Sequence, residues 1–345
     1  MSQTDVTILQ SLLTAKDDFV SGNDLAQQLG ISRVGVWARL EKLRESGFVV
    51  EAVRHRGYRL MEEPRRLNEP LLLAYLASAE SQVPVFFHET LDSTNSEAER
   101  RLANGQTAPF VVVSGSQTRG RGRLGRRWYS PDEGNLYISF AFRPETNHAR
   151  MQAITIWLGL TVCHYLREVH QLPVQIKWPN DLIINNRKVA GMLTEARIDA
   201  DRTRDLVFGL GLNVSGKLSE WPLEVAEIAT TLSEHAPSVL SINNLAADLI
   251  KRCTDAYQSF IESRHLPQML ELWQQYDAFD QRVIRAEYRG KMIEGVAGGI
   301  DERGALKVNL DNEQQITVNS GEVTIGTSAW AQQRAAEPAN GLDPK

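Results

Sequence analysis

The segment QTRGRGRLGRRW, residues 117–128, is the most informative part of this sequence. It holds five arginines and three glycines and no acidic residue. Glycines let backbone N–H groups turn toward a ligand, and guanidinium groups pair with phosphate or carboxylate oxygens. Because five uncompensated cations repel one another, we expect the segment to be mobile until an anion orders it. Composition alone leaves three interpretations open: a solvated loop, an RGG-like RNA-binding segment and a nucleotide clamp.

Two further segments place polar side chains near predicted strand ends. In IKWPNDLIINNRKVAGMLTEA, residues 176–196, Pro179 forces a turn or an extended conformation before Asn180 and Asp181. A hairpin turn at 185–186 then leads to Lys188, although KWPND by itself is more typical of an edge-strand turn than of a site. In LDSTN, residues 91–95, a hydroxyl could cap the following helix or hold a small polar ligand group.

Standard nucleotide motifs are missing or incomplete. The sequence contains no GxxxxGK[ST], which excludes a P-loop enzyme. GLGLN, residues 209–213, lacks the third spaced glycine of a dinucleotide-binding loop, so a Rossmann interpretation is weak.

The N-terminal residues predict a winged helix-turn-helix over 1–62. An apolar helix near residues 6–13 is followed by SGNDLAQQLGISRVGVWARLEKLRESG, residues 21–47. Gly30 supplies the turn, and Ser32 can cap a second helix whose buried stripe is Val36, Leu40 and Leu43. FVVEAVRHRGYRL, residues 48–60, then predicts two short strands joined near 55–57, which is a wing.

This unit is predicted to bind DNA through its second helix and its wing. Residues 1–60 hold eight basic and seven acidic residues, so the unit is barely basic. Trp37 could face a DNA groove or pack under the first helix. The predicted DNA-binding residues are Ser32, Arg33, Trp37, Arg39, Arg54 and Arg56, and Arg59 adds a further cation to the wing.

The rest of the chain divides into a linker, a mixed α/β unit, a small barrel and a tail. MEEPRRLNEP, residues 61–70, is typical of a linker. The predicted strands are 83–88, 110–116, 136–142, 174–178 and 205–212, and the predicted helices are 95–103, 151–170 and 242–262. Short alternating segments over 281–326 predict a barrel of about five strands. The predicted units are therefore 1–62, 63–276, 277–327 and a disordered tail over 328–345.

Composition excludes several other classes of protein. With 345 residues, 42% apolar and 23% charged, the chain is typical of a globular protein of two or three domains. Its net charge of −5 argues against general polyanion binding. No secretory signal and no apolar run long enough for a membrane span are evident, so a cytoplasmic protein is expected. Cys163 and Cys253 form no metal motif and are expected to pack in the core.

Taken together, these motifs resemble those of the biotin–protein ligases. DSTN, QTRGRGRLGRRW with SPDEGNLYIS, KWPND, RKVAGMLTE and GLGLN occur in that family's order and spacing. The winged helix and the small barrel are similar to the bifunctional subgroup, the biotin operon repressors, over roughly residues 5–326. The resemblance implies an α+β fold with an N-terminal winged helix-turn-helix, a central mixed α/β biotin–lipoate ligase-like catalytic domain and a C-terminal SH3-like β barrel.

The resemblance also implies an activity and its partners. Such proteins form biotinyl-AMP from biotin and ATP, with Mg²⁺, and transfer biotin to a lysine of a biotin carboxyl carrier protein. They also repress biotin synthesis genes by binding operator DNA as ligand-promoted homodimers. Two alternatives remain: a biotin-sensing repressor that lacks catalysis, and a lipoate or octanoate ligase. The cationic residues of a phosphate clamp argue against the first, and KWPND and the winged helix argue against the second.

Residue roles follow from the same resemblance. The implied biotin-binding residues are Ser93, Thr94, Asn95, Gln117, Arg121, Gly122, Arg123, Lys188 and Gly191. The implied nucleotide-binding residues are Arg123, Trp128, Asn180 and Asn213. The implied catalytic residues are Lys188, Arg121, Arg123 and Asp181, with Asp181 a hypothetical proton acceptor, a metal holder or an orienting group for Lys188. The residues of any metal site are left unassigned. The stretch 214–231 diverges, because an aromatic expected near Ala229 is absent while Trp221 lies upstream.

Overall fold

The computed structural model describes residues 3–132, 134–312 and 314–326. The predicted disordered tail, 328–345, lies outside these residues. In the described part of the chain, no helix is long and apolar enough to cross a membrane. Both cysteines of the sequence are described, and each is buried and outside any disulfide, as expected for core packing.

The N-terminal residues form the predicted winged helix-turn-helix. Its elements are α1 (Gln3–Ala15), α2 (Gly22–Leu29), α3 (Arg33–Glu45), β1 (Val49–Val53) and β2 (Gly57–Glu62). Ser21 and Ser32 cap α2 and α3 by accepting hydrogen bonds from backbone N–H groups. Gly30 ends α2 with φ of 63°, the left-handed conformation that the turn requires. The predicted stripe of α3 is buried.

Helix α4 (Glu69–Ser78) belongs to two hydrophobic cores at once. Leu71 and Ala74 pack in the core of the winged helix, whereas Leu72 and Leu76 pack in the core of the central unit. The prediction of a linker over 61–70 was wrong in part, because this stretch starts inside β2 and ends inside α4. Proline marked a turn in the sequence, but it also fits the first turn of a helix, which is where Pro70 lies.

The connection between β2 and α4 is fastened to the central unit by hydrogen bonds. The side chain of Asn243 accepts from the N–H of Asn68 at 2.8 Å and donates to the carbonyl of Arg66 at 3.1 Å. Ser241 donates to Glu63, which also accepts from Tyr75. The winged helix is therefore held against the central unit rather than tethered loosely.

The central unit is a mixed sheet with helices on both faces. Its strands are β3 (Val85–Leu91), β4 (Phe110–Gln117), β5 (Asn135–Phe142), β6 (Thr146–Asn147), β7 (Gln175–Lys177), β8 (Asp181–Ile184), β9 (Arg187–Asp199) and β10 (Arg202–Asn213). Its helices are α5 (Thr94–Ala103), α6 (Ile154–Glu168), α7 (Leu223–Ala226), α8 (Ile242–Ile261) and α9 (Leu266–Tyr276). The strand order is β3-β4-β5-β10-β9-β8-β7, with β6 beside β10. Only β3 and β4 are parallel within this described sheet.

Alternating side chains divide the sheet between its two faces. On β4, Val111 and Val113 face the large core shared with α6, α8 and α9, whereas Phe110 and Val112 face α5. The predicted helix at 151–170 is shorter, since residues 148–151 form a 3₁₀ turn and α6 starts at Ile154. The predicted hairpin turn at 185–186 is confirmed, with positive φ at Asn185 and Asn186.

The described C-terminal residues form the five expected strands. These are β11 (Val283–Tyr288), β12 (Lys291–Ile300), β13 (Leu306–Asn309), β14 (Gln315–Val318) and β15 (Val323–Ile325), in the order β14-β13-β12-β11-β15. The barrel contacts the central unit where the buried indole N–H of Trp178 donates to the carbonyl of Gly304 at 2.9 Å. Residues 321–324 of the same unit line a cavity of the central unit.

Candidate active site

A cavity of about 330 Å³ opens between the sheet, the arginine-rich segment and the barrel. Thirteen residues predicted to bind biotin or nucleotide, or to act in catalysis, all line it: Ser93, Thr94, Asn95, Gln117, Arg121, Gly122, Arg123, Trp128, Asn180, Asp181, Lys188, Gly191 and Asn213. These residues meet because β4 and β10 end, and β8 and β9 begin, at the same edge of the sheet. The volume suits a ligand of the size of a small cofactor.

One end of the cavity is a network of hydroxyl and amide groups at the start of α5. Gln117 accepts from the N–H of Thr94 at 2.8 Å and donates to Ser130 at 2.9 Å. Ser93 is the N-cap residue, yet its side chain makes no capping bond among the described residues. Ser93 therefore occupies the cap position without using its hydroxyl as a cap, and its buried side chain lines the cavity.

Asn95 is buried with its amide held in one orientation. Its nitrogen donates to Glu195 at 2.8 Å and to the carbonyl of Leu193 at 3.3 Å. Its oxygen accepts from the hydroxyl of Ser139 at 2.6 Å. Two acceptors on one side and a hydroxyl on the other fix which way the amide faces.

The wall of the cavity depends on two glycines of the GLGLN strand. A Cβ at Gly211 would lie 2.5 Å from the indole of Trp128, and a Cβ at Gly209 would lie 2.1 Å from the amide oxygen of Asn95. These separations are shorter than any van der Waals contact, so only glycine lets both side chains lie flat on β10. The glycines thus serve close packing rather than a dinucleotide loop.

The other end of the cavity carries positive charge. The ammonium of Lys188 lies 2.7 Å from Asp181 and 5.3 Å from the centre of the Trp128 ring. Arg123 donates to the side-chain oxygen of Asn180 at 3.0 Å, while the nitrogen of Asn180 donates to the carbonyl of Met192 at 2.8 Å. An anion that enters here meets two cations at the edge of an aromatic wall.

The arginines of 117–128 are not uncompensated, as had been expected. Arg121 pairs with Glu99 at 3.1 Å and with Glu195. Arg126 pairs with Glu322 of the barrel, and Arg119 lies 3.7 Å from Asp92. The segment itself has no acid, but three other parts of the chain supply carboxylates to it. The expectation of repulsion was wrong for these three arginines.

Several lining residues were missed by sequence reasoning. Trp221, Val225 and Ile228 form an apolar wall, with Trp221 edge-on to Tyr129 at 5.7 Å between ring centroids. The four barrel residues 321–324 close another side. Of these residues, only Trp221 was noticeable in the sequence, as an aromatic upstream of Ala229, where an aromatic residue was expected. The others have no motif and reach the cavity through tertiary packing.

Asn213 connects Lys188 to this apolar wall. Its amide nitrogen lies 3.4 Å from the carbonyl of Lys188 and 3.2 Å from that of Thr230. The backbone of Lys188 also accepts from the N–H of Thr230 at 2.9 Å and donates to Ile228 at 2.7 Å. Movement of the wall is thereby linked to the position of Lys188.

Comparison with known proteins identifies the family. Residues 87–213 match the biotin/lipoate A/B protein ligase family, 6–59 match a helix-turn-helix domain, and 281–326 match the biotin protein ligase C-terminal domain. The bifunctional ligase/repressor BirA of Escherichia coli is 33% identical, over 90% of this chain and 94% of its own length. This chain belongs to the biotin–protein ligase family. The BirA protein of Bacillus subtilis is 30% identical, over 92% of this chain and 98% of its own length.

A solved structure of a family member supports the same fold. The biotin protein ligase from Aquifex aeolicus in complex with biotin and ATP aligns with a TM-score of 0.59 at 28% identity, over 71% of this chain and 99% of that one. The predicted fold class, with a winged helix, a central ligase domain and a β-rich C-terminal domain, is confirmed.

The winged helix of this biotin–protein ligase exposes a surface on α3 and on the wing turn. Trp37 is 53% exposed, so the interpretation that it packs under α1 was wrong. Ser32, Arg33, Arg54 and Arg56 are also exposed. Arg39 is 3.5 Å from Asp5 of α1, Arg59 pairs with Glu51, and the guanidinium of Arg56 lies 4.2 Å above the ring of Phe19. Arg33, Trp37 and Arg54 are thus the better placed of the predicted DNA contacts.

Proposed function

We propose that this chain forms biotinyl-AMP from biotin and ATP and transfers the biotin to a lysine of a biotin carboxyl carrier protein. We also propose that it is a biotin-responsive repressor of biotin synthesis genes. The observation that supports the ligase activity most strongly is that one cavity joins a neutral hydrogen-bonding end to a cationic end. A ureido ring needs the first, and an acyl-phosphate needs the second.

In the first step, a carboxylate oxygen of biotin attacks the α-phosphorus of ATP. A carbon-bound oxygen gains a bond to phosphorus, the bond to the β-phosphate oxygen breaks, and pyrophosphate leaves. Lys188 and Arg123 offset the repulsion between the two anions and stabilise the charge of the transition state. Residues 119–127 cover the site and limit the access of water to the mixed anhydride.

Mg²⁺ bound to the ATP substrate would offset the negative charge of the phosphates. Among the described residues, no group of three or more histidines, cysteines or carboxylates could hold a metal ion. Asp181 is ion-paired with Lys188 and could add at most one carboxylate ligand. The side chains present therefore fit a metal that arrives with its nucleotide.

In the second step, the neutral amine of the acceptor lysine attacks the carbonyl carbon of biotinyl-AMP. An amide bond forms, the bond from carbon to the phosphate oxygen breaks, and AMP leaves with its electron pair while the amine loses a proton. Asp181 lies 2.7 Å from Lys188 and either accepts this proton or orients Lys188. Asp181→Asn separates the two roles when transfer is measured with preformed biotinyl-AMP and adenylate formation by pyrophosphate exchange: a base role lowers transfer alone, and an orienting role lowers both.

The adenine ring is proposed to lie against Trp221, Val225, Ile228 and Ala229. Trp221 replaces the aromatic that is absent at 229, and its edge-on contact with Tyr129 fixes the plane of the indole. Trp128, Asn180 and Lys188 line the same cavity as this wall. The nucleotide would thus span the distance from the apolar wall to the charged end.

For regulation, we propose that the predicted unit 1–62 binds operator DNA, while the predicted unit 63–276 supplies most of the catalytic site. Operators with two-fold symmetry call for a homodimer, which we propose to be promoted by the bound ligand. The acceptor protein and the DNA place this chain in the cytoplasm. A gel shift with the promoter of a biotin synthesis gene, with and without biotin and ATP, tests the repressor role.

The decisive experiment for the ligase activity is biotin-dependent exchange between ATP and labelled pyrophosphate. Lipoate and octanoate serve as alternative substrates. We expect exchange in the presence of biotin and none with lipoate or octanoate. Exchange with lipoate or octanoate instead would make the chain a ligase for those acids, and tight biotin binding without exchange would make it a sensor.

A further inference from the structure

Glu195 on β9 contacts two parts of the cavity that are far apart in sequence. One carboxylate oxygen accepts from the amide nitrogen of Asn95 at 2.8 Å. The other oxygen pairs with the guanidinium of Arg121 in the arginine-rich segment. The carboxylate side chain is 24% exposed, so water screens these contacts only in part. A single residue thus touches both the hydrogen-bonding end and the covering segment.

The chemistry of this position requires two acceptors. Asn95 presents N–H donors to Glu195, because its oxygen is taken by the hydroxyl of Ser139. Arg121 has only donors. A carboxylate satisfies both partners, whereas an amide at 195 would turn its own donors toward one of them. The position therefore selects an acid on grounds of hydrogen bonding as well as charge.

Arg121 itself contacts three protein groups. In addition to Glu195, it donates to Glu99 at 3.1 Å and to the hydroxyl of Ser96 at 3.2 Å. Its guanidinium is thereby directed toward α5 and β9, whereas Arg123 is directed toward Asn180 beside Lys188. The two arginines of GRGR consequently have different tasks, with Arg123 at the anion and Arg121 as an anchor.

We propose that Glu195 is a positioning residue for biotin recognition: it fixes the orientation of the Asn95 amide, and this contact carries its effect because Arg121 is held by Glu99 and Ser96 as well. This inference rests on the proposed binding of biotin. Loss of the carboxylate weakens biotin binding before any chemistry occurs. It leaves the ATP end, with Lys188 and Trp128, unchanged.

Glu99 provides a matched control because it pairs with Arg121 but is not among the contacts of Asn95. We expect Glu195→Gln to raise the Kd for biotin, measured calorimetrically without ATP, by about tenfold or more, the cost of a lost charged hydrogen bond. Glu99→Gln should change it less than threefold. The KM for ATP at saturating biotin should change less than threefold in both variants.

A double-mutant cycle tests the route through Asn95. In an Asn95→Ala background, Glu195→Gln should raise the Kd for biotin by less than a further threefold. Glu195→Asp, which keeps both acceptor oxygens, should bind biotin more tightly than Glu195→Gln. Equal effects of the Glu195 and Glu99 variants, an undiminished effect in the Asn95→Ala background, or weaker binding by Glu195→Asp would overturn the proposal. A wild-type chain that binds no biotin would instead refute the proposed function.

Discussion

Replacing either glycine of the GLGLN strand should damage a different end of the cavity. In Gly211→Ala, the new methyl group would lie 2.5 Å from the indole of Trp128, which must shift away from β10. In Gly209→Ala, the methyl group would lie 2.1 Å from the amide oxygen of Asn95. One residue separates the two glycines, so both lie on the same face of β10. The two variants therefore add the same methyl group and differ only in where it lies.

The size of each effect follows from the cost of overpacking a well-packed site. Adding a methyl group where no space exists costs about 1–3 kcal/mol. If the ligand-binding conformation bears this cost, the affinity falls by roughly 5-fold to 150-fold. Gly211→Ala should therefore raise the KM for ATP, and Gly209→Ala should raise the Kd for biotin, by factors in this range.

Calorimetry with biotin and pyrophosphate exchange with varied ATP measure the two effects separately. A melting curve for each variant monitors the fold, and an intact fold with a loss at only one end is the expected result. The reasoning would be refuted if both variants weakened biotin and ATP to the same degree, or if Gly211→Ala affected biotin alone.

Other perturbations address charge and stability. Lys188→Met should lower the kcat for adenylate formation by about 10²–10³, because a preorganised cation is lost from the transition state, and retention of full exchange would remove Lys188 from that role. Arg54→Ala should lower the salt dependence of operator binding by about one phosphate contact, and an unchanged slope would show that the wing turn is not on the DNA. Burial raises the pKa of Asp277 to about 6, so the folded chain holds a proton that the unfolded chain releases above about pH 4. The free energy of unfolding should fall by up to about 3 kcal/mol as the pH rises from about 4 to 6, and Asp277→Asn should flatten this decline in pH-dependent urea titrations. An unchanged decline would assign it to other groups.

Local rules were sufficient where a few neighbouring residues decide the structure. Ser32 and Gly30 specify a cap and a left-handed turn, and both lie where those rules place them. The paired asparagines at 185–186 specify a hairpin in the same way. Each of these features depends on contacts within a few positions of the chain.

The partners of the arginines could not be predicted by such rules. Arg121 meets Glu195 of β9, 74 positions further along the chain, and Arg126 meets Glu322 of the barrel. Both contacts depend on strand order and on the approach of separate units, which no local pattern encodes. Trp221 belongs to the same class, since its place in the cavity is set by the path of the chain after β10.

Helix α4 has a consequence for how any two copies of this chain could read DNA. Because Leu71 and Leu72 lie in different cores, the helix fixes the angle between α3 and the catalytic unit. In a two-fold assembly, the rigid structure of each chain would then fix the distance between the two α3 helices. The dimer could not adjust this distance to a different half-site spacing. An operator lengthened by a single base pair moves one half-site by about 3.4 Å and rotates it around the duplex axis. A rigid dimer of this kind would discriminate operators by the spacing of their half-sites. A flexible linker in place of α4 would remove this selectivity and leave each half-site contact intact.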